Sequence, residues 1–125
     1  MAHILTTYDL KKTDPGPHRV FIEEAEKQGL LYVYRGASGK LLRLPNTTLW
    51  GVFDDAAGAR DAFDKALTAA EKKLRKKITL EKRVITPFED GLIISDTKKS
   101  PVEKWTKPTA FETCRAHQLN DPFFS

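Results

Sequence analysis

Residues 54–77 constrain the fold more than any other part of the chain. Ala59, Phe63, Ala66, Leu67, Ala70 and Leu74 recur at helical spacing, so they form one apolar stripe along a helix whose other faces are charged. Asp54 and Asp55 stand just ahead of it, where a carboxylate can accept the unpaired amides of a first helical turn. A long helix with one apolar stripe must lay it against a sheet or another helix. The flanking segments supply the sheet. Residues 47–53, "TTLWGVF", and 78–88, "ITLEKRVITPF", carry the β-branched and aromatic residues of strands.

The first half of the chain repeats the arrangement. Residues 3–10, "HILTTYDL", read as a strand, and "KKTDPGP" at 11–17 breaks it with two prolines and a glycine. Residues 18–29 then carry Val20, Phe21, Glu24, Ala25 and Gln28 on one helical face, with Gly29 as a natural stop. "LLYVYR" at 30–35 is a second strand, followed by a flexible turn "GASGK" at 36–40 and an interruption "PNTT" after "LLRL". "LIIS" at 92–95 adds a short fifth strand. The order is β-α-β-β-α-β with an extra β. It predicts an α+β, ferredoxin-like split βαβ domain over residues 1–95, an antiparallel sheet with two helices on one face.

Residues 96–125 carry three prolines and no sustained period, so they are expected to be an extended C-terminal tail. Trp105, Phe111, Phe123 and Phe124 are too apolar for a purely solvating segment, and packing within the same protein or its dimer mate is expected of them. Leu30, Leu31, Tyr32, Val33 and Tyr34 are apolar at both parities, the mark of a strand buried on both faces. The second sheet face therefore needs a cover, from the tail or from another protomer, and a homodimer is expected.

Hydrophobic residues make up 40% and charged residues 30% of the 125-residue chain, a balance typical of a single soluble globular domain. No apolar run approaches the roughly 20 residues that span a bilayer as a helix, so no membrane partner is expected. The N-terminus enters strand-like sequence without a basic segment followed by an apolar one, and a cytoplasmic location is expected. Cys114 is the only cysteine, which excludes an internal disulfide and suits a reducing compartment.

The familiar catalytic motifs are absent. There is no GxGxxG, P-loop, HExxH or CxxC. His3, His18 and His117 lack metal-ligand spacing and read as surface residues. Tyr32, Tyr34 and Trp50 sit on predicted strands, where core packing is the more common use and base stacking the rarer one. Two features remain. Over residues 72–83, seven basic residues, Lys72, Lys73, Arg75, Lys76, Lys77, Lys82 and Arg83, face one acid, Glu81, in a chain whose net charge is only +4. A helix end needs one or two cations to complement its dipole. Five within six residues suit a polyanion, which binds by counterion release.

The other feature is Asp9, at the end of the first strand in "TTYDL". Asp can end a strand by hydrogen-bonding the backbone that follows it, and that is the plain reading. With Tyr8 before it and the β-α-β-β-α-β order after it, the chain also resembles the small CRISPR-associated integration subunits. It is similar to their ferredoxin-like relatives, the virulence-associated protein D ribonucleases and the ribonuclease antitoxin of type V toxin systems. The resemblance covers residues 3–95. It implies a homodimer with Asp9 near its axis and a fifth strand pairing with the other protomer. It also implies a Mg²⁺-dependent endoribonuclease in which Asp9 is both catalytic residue and metal ligand. Mg²⁺ takes one or two carboxylates and several waters, a demand that a symmetric pair of Asp9 residues would meet and one alone would not. Asp14 is a second candidate ligand. No other cofactor is expected.

Three functions therefore stand: a small dimeric nucleic-acid-binding protein with an endoribonuclease sub-case, a non-enzymatic protein-interaction module using its aromatic tail, and a small-molecule sensor with its ligand in a dimer cleft.

Overall fold

The computed structural model of the chain describes residues 1–89 and 91–122. Its elements in chain order are β1 (Ala2–Leu10), α1 (His18–Lys27), β2 (Val33–Arg35), β3 (Leu41–Arg43), β4 (Thr48–Phe53), α2 (Ala56–Leu74), β5 (Leu80–Pro87), β6 (Lys98–Lys99), a single 3-10 turn (Glu103–Trp105) and α3 (Ala110–Asn120). Among the described residues the fold is α+β, with three helices and two small antiparallel sheets, β4-β1-β5 and β2-β3-β6.

β1 is the axis of the first sheet. Its residues alternate strictly, with Ile4, Thr6, Tyr8 and Leu10 buried on one face. On that face the Tyr8 ring meets Phe21 of α1 at 5.2 Å and Phe63 of α2 at 5.1 Å, edge to face. Phe21 and Phe63 close the triangle at 4.8 Å. Both helices therefore lie on the same side of the sheet. Each of these rings contributes about 1.5–3 kcal/mol by burial. The sequence sets the helix limits locally. Asp55 caps α2 by accepting the Gly58 amide at 2.9 Å. α1 stops before Gly29, whose φ of +86° turns the chain. A Cβ on Gly51 would lie 2.3 Å from the Gly29 carbonyl oxygen, so β4 reaches this turn only with glycine there.

The Trp50 half of the opposite sheet face is covered from within the chain. Trp50 is opposite Leu5 in the β1–β4 register and only 1% exposed. It is enclosed by Tyr34 of β2 at 4.8 Å and by Phe111 of α3 at 5.7 Å. Its indole N–H donates to the Val33 carbonyl, and Leu31 bridges to Trp50 through paired backbone hydrogen bonds of 2.8 and 2.9 Å. The expected homodimer rests on the need to cover this face, by the tail or by another protomer. The chain's own α3 and second sheet cover its Trp50 half, so that half needs no second protomer, whereas the half at Thr7, Asp9, Val84 and Thr86 is open.

Several expectations are corrected. The extended tail is not extended: residues 110–120 are helical, with Thr109 as N-cap accepting the Glu112 amide at 3.1 Å. The sequence conceals this helix because its buried side is mostly polar, namely Thr113, Cys114, His117 and Gln118. His117 is therefore core, not surface. Val102 N–H donates to its Nε2 and its Nδ1 bonds the Thr113 carbonyl, each at 2.8 Å, a pairing that requires the neutral Nδ1–H tautomer. Of the tail aromatics, Phe111 packs on Trp50 and Trp105 on His117, whereas Phe123 and Phe124 lie outside the described residues. Residues 92–95 form no strand; Leu92 and Ile94 are fully exposed, and the short strand falls at β6. "LLRL" is the strand β3, made by hairpin pairing with β2 around the turn "GASGK". Cys114 lies wholly within the core, where burial pushes its thiol up to about 12, so it is unreactive at neutral pH.

Candidate nucleic-acid interface

The C-terminus of α2 and the start of β5 meet the end of β1 at one end of the molecule. Arg75 caps α2 in the left-handed conformation, φ +51°, which reverses the chain directly into the lysines. Glu71 fixes the reversal by accepting the Ile78 amide on its carboxylate at 2.8 Å. Beyond β1, the Lys11 amide donates to the Thr79 carbonyl at 2.9 Å. That bond brings Lys11 and Lys12 to the same end as residues 72–83. Sequence reading missed this pair. They sit in a loop whose net charge is only +1, and only the antiparallel β1–β5 register places them beside the basic stretch.

The seven predicted basic residues divide into two groups. Lys73 pairs with Glu24 at 2.8 Å, Arg83 pairs with Asp64 at 2.7 Å while lying over the Phe63 ring, and Lys76 donates to the Asp14 carbonyl at 2.8 Å. These three are engaged by partners within the chain. The Glu24 carboxylate sits under Lys73 and Lys27, whose hydrogen bonds hold it below the usual glutamate range, and the same contact raises Lys73. Lys72, Arg75, Lys77 and Lys82 are exposed and make no side-chain ion pair among the described residues. With Lys11 and Lys12 they are exposed cations at this end of the molecule, Lys72, Arg75 and Lys77 at the negative end of the α2 dipole and Lys82 on the neighbouring strand β5.

Asp9 lies within this end. It is exposed, and it faces Lys82 across the β1–β5 ladder, on the sheet face away from the helices. Thr7, Val84 and Thr86 extend the same face and are exposed too. The ladder slips by a residue between Asp9 and Leu10, so Asp9 marks where regular pairing ends. Its carboxylate accepts no hydrogen bond among the described residues, so the turn bond expected of a strand-ending Asp is not what holds it. Asp14 is exposed in the next loop. No group of three or more His, Cys, Asp or Glu side chains suited to a metal ion occurs among the described residues. Of the aromatics considered for base stacking, Trp50 and Tyr32 are buried, and Tyr32 carries the Arg43 guanidinium over its ring at 4.5 Å.

No helix among the described residues is long and apolar enough to cross a membrane. No family model matches the chain, and neither a curated protein nor a solved structure does. The functional reading therefore rests on geometry and chemistry.

Proposed function

We propose that the protein binds nucleic acid through the phosphate backbone, using Lys11, Lys12, Lys72, Arg75, Lys77 and Lys82. The observation that carries this reading is their convergence. Three segments separated in sequence deliver exposed cations to one end, while Lys73, Lys76 and Arg83 are tied to internal partners. Lysines that served only to cap a helix would not be joined by cations from another loop. Phosphate contacts from flexible lysines carry no base information, so binding should be largely independent of sequence.

The ferredoxin-like order belongs to the same proposal. It is supported by β1 lying between β4 and β5 and by the Leu31–Trp50 bridge on the far side of β4. The protein-interaction reading relies on tail aromatics, of which Trp105 and Phe111 are half-buried and pack on His117 and Trp50 of the same chain. The endoribonuclease sub-case would need Asp9 to gain further ligands from a second copy, since MgO₆ coordination exceeds what one carboxylate offers.

Amide chemical-shift mapping with a short single-stranded RNA tests the surface. Perturbations are expected over residues 9–12 and 72–83, and perturbation confined elsewhere would overturn the assignment. Incubation with Mg²⁺ or Mn²⁺ tests the sub-case in the same samples. Cleavage by the wild type that Asp9→Asn abolishes would make Asp9 catalytic, and the reading here expects binding without cleavage from both.

A further inference from the structure

A cleft of about 730 Å³ lies far from the basic end. It opens between the β2–β3 hairpin and the chain leading into β6. Phe88, at its edge, is anchored by its amide donating to the His3 carbonyl at 2.9 Å, whereas the basic end adjoins Leu10. About 3.3 Å per strand residue places roughly 20 Å between Ile4 and Leu10, so the two regions are separate sites.

The floor of the cleft is a row of three residues across the second sheet. Tyr34 is opposite Leu42, and Leu42 is opposite Lys98; all three line the cleft. Directly opposed residues share a face, so the row presents an aromatic ring, an apolar centre and a cation in that order. Neighbouring strands lie about 4.8 Å apart, which sets Tyr34 and Lys98 about 10 Å apart at the backbone. Tyr34 is held firmly. Its ring packs between Trp50 and Phe88 at 4.8 and 5.5 Å, and its hydroxyl lies 3.4 Å from His3 Nδ1.

Cations dominate the rim. Arg35 and Lys40 flank the hairpin turn and join Lys98, against Glu89 as the acid among the described lining residues. None of the three makes a side-chain ion pair among the described residues. Leu92 and Ile94, on the facing wall, are fully exposed. Apolar side chains left in water beside unpaired cations describe a surface complementary to a ligand with a flat apolar part and an anionic end. The size falls within the few hundred to 1,000 Å³ typical of small-ligand pockets.

We propose that this cleft binds a small aromatic phosphate of mononucleotide size, its ring against Tyr34 and Phe88 and its phosphate among Arg35, Lys40 and Lys98. The inference is independent of the basic end, so a failure of either leaves the other standing. Titration of the full chain with AMP and UMP, followed by amide chemical shifts, tests it. Saturable shifts are expected at residues 34–42 and 98. Adenosine, which lacks the anion, and ribose 5-phosphate, which lacks the ring, should each bind at least 10-fold more weakly. Arg35→Ala combined with Lys98→Ala should weaken AMP at least 10-fold, whereas Lys72→Ala with Lys77→Ala should leave it unchanged. Both pairs are exposed, and an unchanged amide spectrum outside the cleft verifies folding. No saturable binding of either nucleotide, ribose 5-phosphate binding as tightly as AMP, or AMP binding insensitive to the Arg35/Lys98 pair would each overturn the proposal.

Discussion

Gln118 Oε1 accepts the backbone N–H of Tyr32 at 2.9 Å, joining residues 86 positions apart. This bond holds α3 to the strand that carries Tyr34 and closes over Trp50. Both partners are buried, so removing the acceptor leaves an amide with neither protein nor bulk water to pair with.

Gln118→Ala should therefore cost about 1–3 kcal/mol, a fall in Tm of about 4–10 °C for a chain of this size. Leu119→Ala, on the exposed side of the same helix, should change stability by less than about 0.5 kcal/mol. Thermal unfolding of the two variants decides whether α3 is integral to the fold. Equal effects would mean that α3 is dispensable.

Thr6 is 1% exposed, and its hydroxyl finds no hydrogen-bond partner among the described residues. An unpaired buried hydroxyl is a standing cost. Thr6→Val keeps the β-branched shape that suits the strand and should stabilise the protein by about 1 kcal/mol, raising Tm by about 4 °C. Denaturant titration checks the sign. Destabilisation would mean that the hydroxyl is satisfied after all.

Glu24 has a side chain only 7% exposed and accepts from both Lys73 and Lys27. Those hydrogen bonds hold its carboxyl below the usual value of 4.5, against the opposing effect of burial. A carboxyl lowered on folding stabilises the native state fully above its unfolded value, and the contribution fades as pH falls through the folded value. Glu24→Gln should lower Tm at pH 7. The gap to the wild type should shrink as pH falls from 4.5 towards the folded value. A gap that stays constant over that interval would show that the ion pairs contribute nothing.

The residues most easily read in the sequence were those whose pattern is local. The stripe from Ala59 to Leu74, the Asp55 cap, the stop at Gly29 and the alternation of β1 each depend on neighbours within a few positions. α3 was not legible, because Thr113, Cys114, His117 and Gln118 replace an apolar stripe, and the polar ones find partners outside the helix: Lys107 for Thr113, Val102 for His117 and Tyr32 for Gln118. β3 is short and needs the hairpin to become a strand. The site was half legible for the same reason. The run Lys72–Lys77 is contiguous, yet nothing local says that Lys73 serves Glu24 or that Lys11 and Lys12 lie beside Thr79.

The most direct test of the central reading is the salt dependence of binding to a short single-stranded RNA. Six exposed cations on phosphates predict a slope of log K against log salt of about −4. Replacing Lys72, Arg75, Lys77 and Lys82 by alanine should weaken binding and flatten the slope to about −1. Alanine at Arg35 and Lys98 in the distant cleft should leave the slope unchanged. A slope near zero in the wild type, or the same slope in the fourfold variant, would contradict the account.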